Sequence, residues 1–158
     1  MKKFLLLLIT LLIIDTGIFA SDKLPVKVTL LNTINTSHDE IEVGDIIPFE
    51  VVRDVYYNEK VIIPNGTIIY GTVDYVSENG WCFDNAQIEL KTFEIAYYPE
   101  GKRVKFQSEL TIDGFDTLKY YYPKWKRFFQ YIGTAFRGKE VYITPDYKIV
   151  FNIWYSVK

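Results

Sequence analysis

The side chains that could carry metal or nucleophilic chemistry are few and scattered. His38 is the only histidine of the 158-residue chain, and Asp39, Glu40 and Glu42 lie beside it. A metal site needs several converging ligands, and this cluster lies in a predicted loop with no second histidine or cysteine to support it. The pattern therefore favours a solvated acidic loop over a metal centre.

Cys82 in GWCFDN and the carboxylate pair Asp113 and Asp116 are the other candidates for catalysis. A nucleophilic cysteine needs a base and an orienting partner, and the only histidine is distant in sequence. We predict Cys82 to be a small core hydrophobe and the aspartates to be turn residues with local hydrogen bonds. The sequence contains no nucleophile elbow, phosphate loop or dinucleotide fingerprint. We therefore predict that the protein is not an enzyme and uses no cofactor.

A segment dense in aromatic and basic residues is the strongest functional candidate. It reads KYYYPKWKRFFQYIGTAFRGK and covers residues 119–139. Pro123 suits the first turn of a helix, and apolar residues then recur at spacings of three and four, which is typical of one helical face. That face holds Trp125, Phe128, Phe129, Ile132 and Phe136. We predict the interaction residues to be Tyr121, Tyr122, Trp125, Lys126, Arg127 and Phe129.

Four interpretations of this helix differ in what its aromatic face contacts. An interfacial helix would insert Trp125, Phe128 and Phe129 into a membrane surface. Its basic residues Lys124, Lys126 and Arg127 would then meet anionic headgroups. A docking face would bind another protein, because Trp, Tyr and Arg are concentrated at binding hot spots. Exposed Tyr and Trp side chains could instead stack on the sugar rings of a glycan. Alternatively, the face packs against a core and caps the end of a barrel.

The chain starts with the features of a secretory signal peptide. Two lysines precede an apolar run from Phe4 to Ile14, and Ala20-Ser21 follows as a cleavage site. The run is short for a transmembrane helix, which needs about 20 apolar residues. We expect residues 1–20 to be a signal peptide, residues 21–158 to be a single exported domain, and its location to be the periplasm or outer envelope. Because Ile18 stands where a small residue is preferred, an uncleaved anchor is the alternative.

Short alternating runs between turn signals dominate the rest of the chain. The composition is 49% hydrophobic and 17% aromatic, which is enough for a sizeable core. The net charge of -2 at pH 7 argues against a nucleic-acid partner, which would favour a basic domain. The regular spacing predicts a mainly β protein, a small barrel or sandwich of about eight strands with one short C-terminal amphipathic helix. The predicted strands are 26–31, 46–55, 61–63, 67–76, 86–95, 103–112 and two more after residue 140.

The stretch EKVIIPNGTIIYGTV, residues 59–73, places a turn between two β-branched runs. Pro64 fixes φ and suits the second position of a tight turn, and Asn65 and Gly66 tolerate positive φ. We predict a corner that helps a small barrel to close. Gly71 is predicted to mark a bend inside the following strand.

The order of these motifs resembles that of a bacterial envelope module. The resemblance rests on VTLLNTI, VGDIIPFEVVRDVYYNEKVIIPNGTIIYGTV, IELKTFEI and RGKEVYITPDYKIVFNI. The IPNGT corner with Gly71 is similar to that of the barrel domain of TrbI-like proteins of conjugation and type IV secretion. Asn65 departs from the pattern, which commonly has a basic residue there, and Asp146-Tyr147 replaces a common Pro-Gly. The resemblance implies a small secreted envelope β-barrel, without an activity.

These observations predict a non-catalytic extracytoplasmic envelope protein. It would bind another envelope component, either a protein or a membrane surface, through the aromatic-basic helix and the barrel rim. The alternative is a glycan- or peptidoglycan-binding module that uses exposed aromatic side chains. The sequence leaves the identity of the partner and the oligomeric state open.

Overall fold

The structure is a computed structural model that describes residues 22–37, 41–96, 103–134, 136–145 and 147–155. The described residues form ten strands and two helices. The strands are β1 (Asp22–Leu30), β2 (Ile34–Asn35), β3 (Ile46–Val51), β4 (Val55–Tyr57), β5 (Lys60–Ile63), β6 (Ile68–Ser77), β7 (Gln87–Ala96), β8 (Arg103–Asp113), β9 (Tyr142–Ile143) and β10 (Lys148–Tyr155). The helices are α1 (Gly114–Tyr121) and α2 (Lys124–Gly133).

Six strands form one antiparallel sheet in the order β10-β1-β3-β6-β7-β8. The sheet curls into a nearly closed, barrel-like structure, because the two outer strands, β8 and β10, approach each other. Across the seam between them, the Ser108 hydroxyl donates to the Asn152 carbonyl. The remaining four strands form two small two-stranded sheets, β2–β9 and β4–β5. The prediction of a mainly β, barrel-like fold is confirmed at this level.

The finer details of that prediction are not confirmed. The strand predicted over residues 46–55 is divided into β3 and β4, and the two-residue strand β2 was not foreseen. The C-terminal part contains two helices, of 8 and 10 residues, in place of one. Within the described ranges, no helix is long and apolar enough to span a membrane.

Apolar side chains from alternate strand positions fill the interior of the barrel. On β1, Val26, Val28 and Leu30 are buried, while the residues between them are only partly buried. This is the two-residue period of a strand with one face toward a core. The alternation in VKVTL therefore sets both the strand and its orientation.

Three phenylalanines form the centre of the core. The ring centroids of Phe93 and Phe151 are 4.8 Å apart, and that of Phe49 lies 6.5 and 6.4 Å from them. Gly71 on β6 lies against this cluster, where a Cβ atom would be 2.6 Å from Leu90 Cδ2 and 3.0 Å from Phe93 Cε1. Close packing therefore requires a glycine here, and the pairing of β6 with β7 shifts register just after it.

The corner at Pro64–Asn65–Gly66 leads the chain from the β4–β5 sheet into β6. The Thr67 N–H donates to the Pro64 carbonyl at 3.2 Å, so Pro64 occupies the first position of the turn. The prediction that Pro64 occupies the second position was wrong. Gly66 has φ +79°, which glycine tolerates without a steric penalty. Asp54 Oδ1 accepts a hydrogen bond from the Asn65 N–H at 2.7 Å.

The alternating strand directions give the barrel two different ends. β1, β6 and β8 finish at the end that carries both helices, the β2–β9 sheet and the 78–86 loop; we call it the helical end. β1 starts at Asp22 at the other end, which also carries the β4–β5 sheet and the Pro64 corner; we call it the entry end.

Candidate interaction surface at the helical end

Helix α1 starts at the two aspartates considered above as an acid–base pair. Asp113 Oδ1 accepts from the Asp116 N–H at 3.0 Å, and the Asp113 N–H donates to Asp116 Oδ2 at 3.2 Å. This reciprocal pair is a capping box, so the prediction of local hydrogen bonding is confirmed. Lys119 Nζ bonds to Asp116 Oδ1 at 2.7 Å, which raises the pKa of Lys119. The D-x-x-D spacing was the overlooked sequence signal for this helix.

Helix α2 begins after Pro123, which occupies its N-cap, and ends at Gly133. Proline supplies the fixed φ of a helix start but no side-chain cap, and the structure shows no capping bond from it. The helix has 10 residues. Because isolated helices of this length are marginal in water, it depends on contacts with its neighbours. Phe136, which was predicted on its apolar face, lies beyond its end.

The apolar face of α2 points away from the barrel. The exposed fractions of Trp125, Phe128 and Phe129 are 66%, 63% and 66%, and that of Ile132 is 49%. None of the residues of α2 is buried. The alternative in which this face packs against the core and caps the barrel is therefore wrong.

Arg127 holds the opposite side of α2 against α1. Its Nε atom donates to the Tyr122 carbonyl at 2.7 Å, and its Nη2 atom donates to the Lys119 carbonyl at 2.8 Å. These carbonyls belong to the C-terminal part of α1, where cationic donors are favourable. The guanidinium that was predicted to meet a partner is thus engaged within the fold.

Tyr131 and Thr134 contact the rest of the fold on the same side as Arg127. The Tyr131 ring centroid is 5.1 Å from that of Phe83 and 5.7 Å from that of Phe115. Thr134 is 1% exposed, and its carbonyl accepts from the Phe83 N–H at 3.0 Å. Arg127, Tyr131 and the C-cap Thr134 therefore contact the rest of the fold, while the largest apolar side chains of α2 point outward.

Two exposed lysines border the outward side. At 3.6 residues per turn, Lys124 and Lys126 lie on opposite edges of the apolar stripe. Lys126 Nζ is 5.2 Å from the ring centroid of Trp125, within cation–π range. We call the surface made by Lys124, Trp125, Lys126, Phe128, Phe129 and Ile132 the outward face of α2.

The turn between β6 and β7 adds further exposed aromatic surface. Trp81 is 77% exposed, and Phe83 is also exposed while it contacts Tyr131. Cys82 between them is exposed and has φ +57°, so the prediction of a core cysteine was wrong. The reason is that Cys82 lies in an exposed turn between β6 and β7. Sequence reasoning missed the two aromatics, although both follow the Asn79-Gly80 turn signal.

A groove of about 490 Å³ lies beside α1 at the same end. It runs between the C-terminal residues of α1 and the segment that leads into β9. Its lining combines aromatic and charged side chains, among them Tyr121, Tyr122, Arg137, Lys139, Glu140 and Tyr142. The rings of Tyr121 and Tyr142 are nearly parallel, with centroids 6.0 Å apart and planes inclined by 23°, as in an offset stack.

Hydrogen bonds fix both walls of this groove. Thr117 Oγ1 on α1 donates to the Glu140 carbonyl at 3.1 Å and accepts from the Tyr142 N–H at 2.9 Å. Glu140 Oε2 accepts from the Thr36 hydroxyl at 2.8 Å. Burial raises the pKa of the Tyr121 phenol above its ordinary value. A tyrosine phenol is protonated at neutral pH in any case and can donate a hydrogen bond. The groove is therefore preformed and not shaped by mobile side chains alone.

The predicted site residues are distributed over both ends of the barrel. Tyr121, Tyr122, Trp125, Lys126, Arg127 and Phe129 all lie at the helical end. The corner at Pro64–Asn65–Gly66 lies at the entry end, and Gly71 is in the core. The helix and the corner therefore do not form one continuous surface.

Metal ligands do not cluster in the part of the chain that the structure describes. No group of three or more His, Cys, Asp or Glu side chains there could hold a metal ion. His38, Asp39 and Glu40 lie outside the described residues, whereas Glu42 is described and exposed. The interpretation of this segment as a solvated loop therefore stays a prediction.

Neither a scan of protein-family models nor a search of curated proteins finds a match for this chain. The resemblance to TrbI-like barrels therefore stays a prediction.

Proposed function

We propose that this protein is a non-catalytic extracytoplasmic envelope protein that binds a membrane surface through the outward face of α2. The observation that carries the proposal is the orientation of α2, which has no buried residue and turns Trp125, Phe128 and Phe129 to solvent. Contiguous apolar surface of this kind marks interaction sites in soluble domains.

The charges around the outward face favour a lipid surface over a protein pocket. Lys124 and Lys126 border the apolar stripe on both sides, so their ammonium groups can reach headgroups while the stripe enters the acyl boundary. Each lysine near an anionic surface contributes about 1 kcal/mol. Anionic lipid is therefore expected to strengthen binding, and salt to weaken it.

The size of the surface predicts reversible binding. Full burial of one large apolar side chain is worth roughly 1.5–3 kcal/mol, and four such side chains are about half to two-thirds exposed here. The protein would therefore exchange between membrane and solution. The predicted export segment supports the proposal because it would place the domain beside membranes.

Liposome flotation of residues 21–158 tests the proposal. Vesicles of phosphatidylcholine alone would be compared with vesicles that also contain phosphatidylglycerol. We expect flotation that depends on the anionic lipid and is lost in Trp125→Ala/Phe129→Ala. Because both side chains are exposed, we expect the double variant to keep its free energy of unfolding within about 1 kcal/mol of the parent.

The matched control is Tyr56→Ala/Trp154→Ala. These aromatics are 58% and 52% exposed but lie toward the entry end, so the control variant should float like the parent. A folded parent that floats with neither lipid rejects the membrane surface and leaves a protein as the partner of α2. Equal loss of flotation in both double variants would show general stickiness and reject the role of α2.

A further inference from the structure

The groove beside α1 combines aromatic and polar side chains. Tyr121 and Tyr142 offer a broad aromatic platform with both side chains about two-fifths exposed. Around it stand side chains that donate and accept hydrogen bonds, including Asn79, Tyr122 and Glu140. A small polar ligand with flat apolar ring faces fits this mixture, because binding sites pair apolar walls with a few placed polar groups.

The cationic side chains that line the groove favour an acidic ligand. Arg137 and Lys139 both line it, and neither pairs with an acidic side chain among the described residues. Among the described residues that line the groove, Glu140 is the one acidic side chain, and its Oε2 atom accepts a hydrogen bond from Thr36. An arginine can receive a carboxylate through two parallel hydrogen bonds.

We propose that the groove between α1 and the 136–142 segment binds an acidic saccharide, a sugar chain whose rings carry carboxylate groups. The sugar rings stack on Tyr121 and Tyr142, and Arg137 and Lys139 bind the carboxylates. This site uses none of the residues of the outward face of α2. It would therefore stand if membrane binding failed.

Hydrogen bonds within the fold hold the walls of this groove in place. Thr117 links α1 to both Glu140 and Tyr142 through one hydroxyl group. On the other side, Asn79 Nδ2 donates to the Gly138 carbonyl at 2.7 Å. The protein would therefore lose little conformational entropy when a cyclic ligand binds, which is the main advantage of a preorganised site.

Isothermal titration calorimetry tests the proposal on protein expressed as the full chain and purified from the envelope fraction. The probes are trigalacturonic acid and its neutral methyl ester. We expect the acid to bind and the ester to bind at least about tenfold more weakly. No heat with the acid, or equal affinity for the two probes, would overturn the proposal.

Two variants assign the binding to the groove. Tyr142→Ala removes half of the platform, and Arg137→Gln/Lys139→Gln removes the charges. Each should weaken binding of the acid by about tenfold or more. If Tyr142→Ala fails to fold by circular dichroism, Tyr121→Ala replaces it.

The matched control is Lys124→Gln/Lys126→Gln, which removes the same charge from the outward face of α2. It should keep the affinity within about twofold of the parent. An equal loss in this control would show that the acid responds to net charge alone, and would overturn the groove as the site. Unchanged affinity in the folded tyrosine variant would overturn it as well.

Discussion

Gly71 shows how a single residue controls the packing of the barrel. The Gly71→Ala substitution would place a methyl group 2.6 Å from Leu90 Cδ2 and against Phe93. Overpacking of a dense core typically destabilises by about 1–3 kcal/mol, so we expect a loss of this size. Urea denaturation monitored by circular dichroism measures it.

Gly133 provides the matched control at the same scale. A Cβ atom there would meet nothing within 4 Å, and the residue ends α2. We expect Gly133→Ala to leave stability unchanged or raise it by up to about 1 kcal/mol, since alanine favours helix. Equal losses in the two variants would contradict the packing argument for Gly71.

Cys82 and Asp113 show what residue types can and cannot predict. Asp113 was correctly expected to make local hydrogen bonds, because short acidic side chains favour turns and caps. Cys82 was wrongly placed in the core, because free cysteine is usually buried and its exposure depends on two successive positive φ angles. Those angles arise from the 78–86 turn as a whole, which local composition does not reveal.

At the level of elements, Arg127 is one link between the two helices, beside the ring contact of Phe115 with Tyr131. Arg127→Ala would leave the Lys119 and Tyr122 carbonyls without their donors. We expect a loss of about 1–3 kcal/mol, as for hydrogen bonds to charged groups, and faster amide hydrogen exchange in α2. Lys126→Ala, which removes a neighbouring exposed cation, should change stability by less than about 0.5 kcal/mol. Similar exchange rates in the two variants would contradict this role.

The helical period in residues 124–133 was predictable, but its orientation was not. A spacing of three and four shows which side chains share a face, and it cannot show whether that face meets the core or solvent. Here the choice is made by contacts distant in sequence, such as Tyr131 with Phe83 and Phe115. The strands were easier, because VKVTL alternates and a strand with one buried face follows directly from that pattern.

At the level of the whole molecule, the seam between β8 and β10 is the place where the barrel is least complete. Ser108 is buried and its hydroxyl donates to the Asn152 carbonyl on the facing strand. Ser108→Ala should cost about 0.5–1.5 kcal/mol and speed amide exchange in β8 and β10 more than in β3 and β6. Gln107→Ala, on the exposed side of β8, is the control. Uniform exchange across all six strands in Ser108→Ala would argue against a local opening.

The opposite positions of Asp22 and α2 have a consequence for distance. β1 has nine residues, so at about 3.3 Å per residue it spans roughly 30 Å from the entry end toward the helical end. A chain that kept its first 20 residues in one bilayer would hold α2 away from that bilayer, and α2 would reach across a gap to a second surface. A chain that lost them would be free to lie with α2 on the nearest one. If the proposed membrane binding holds, the height of the barrel would set the distance between α2 and an uncleaved N-terminal anchor, and cleavage after residue 20 would remove that constraint.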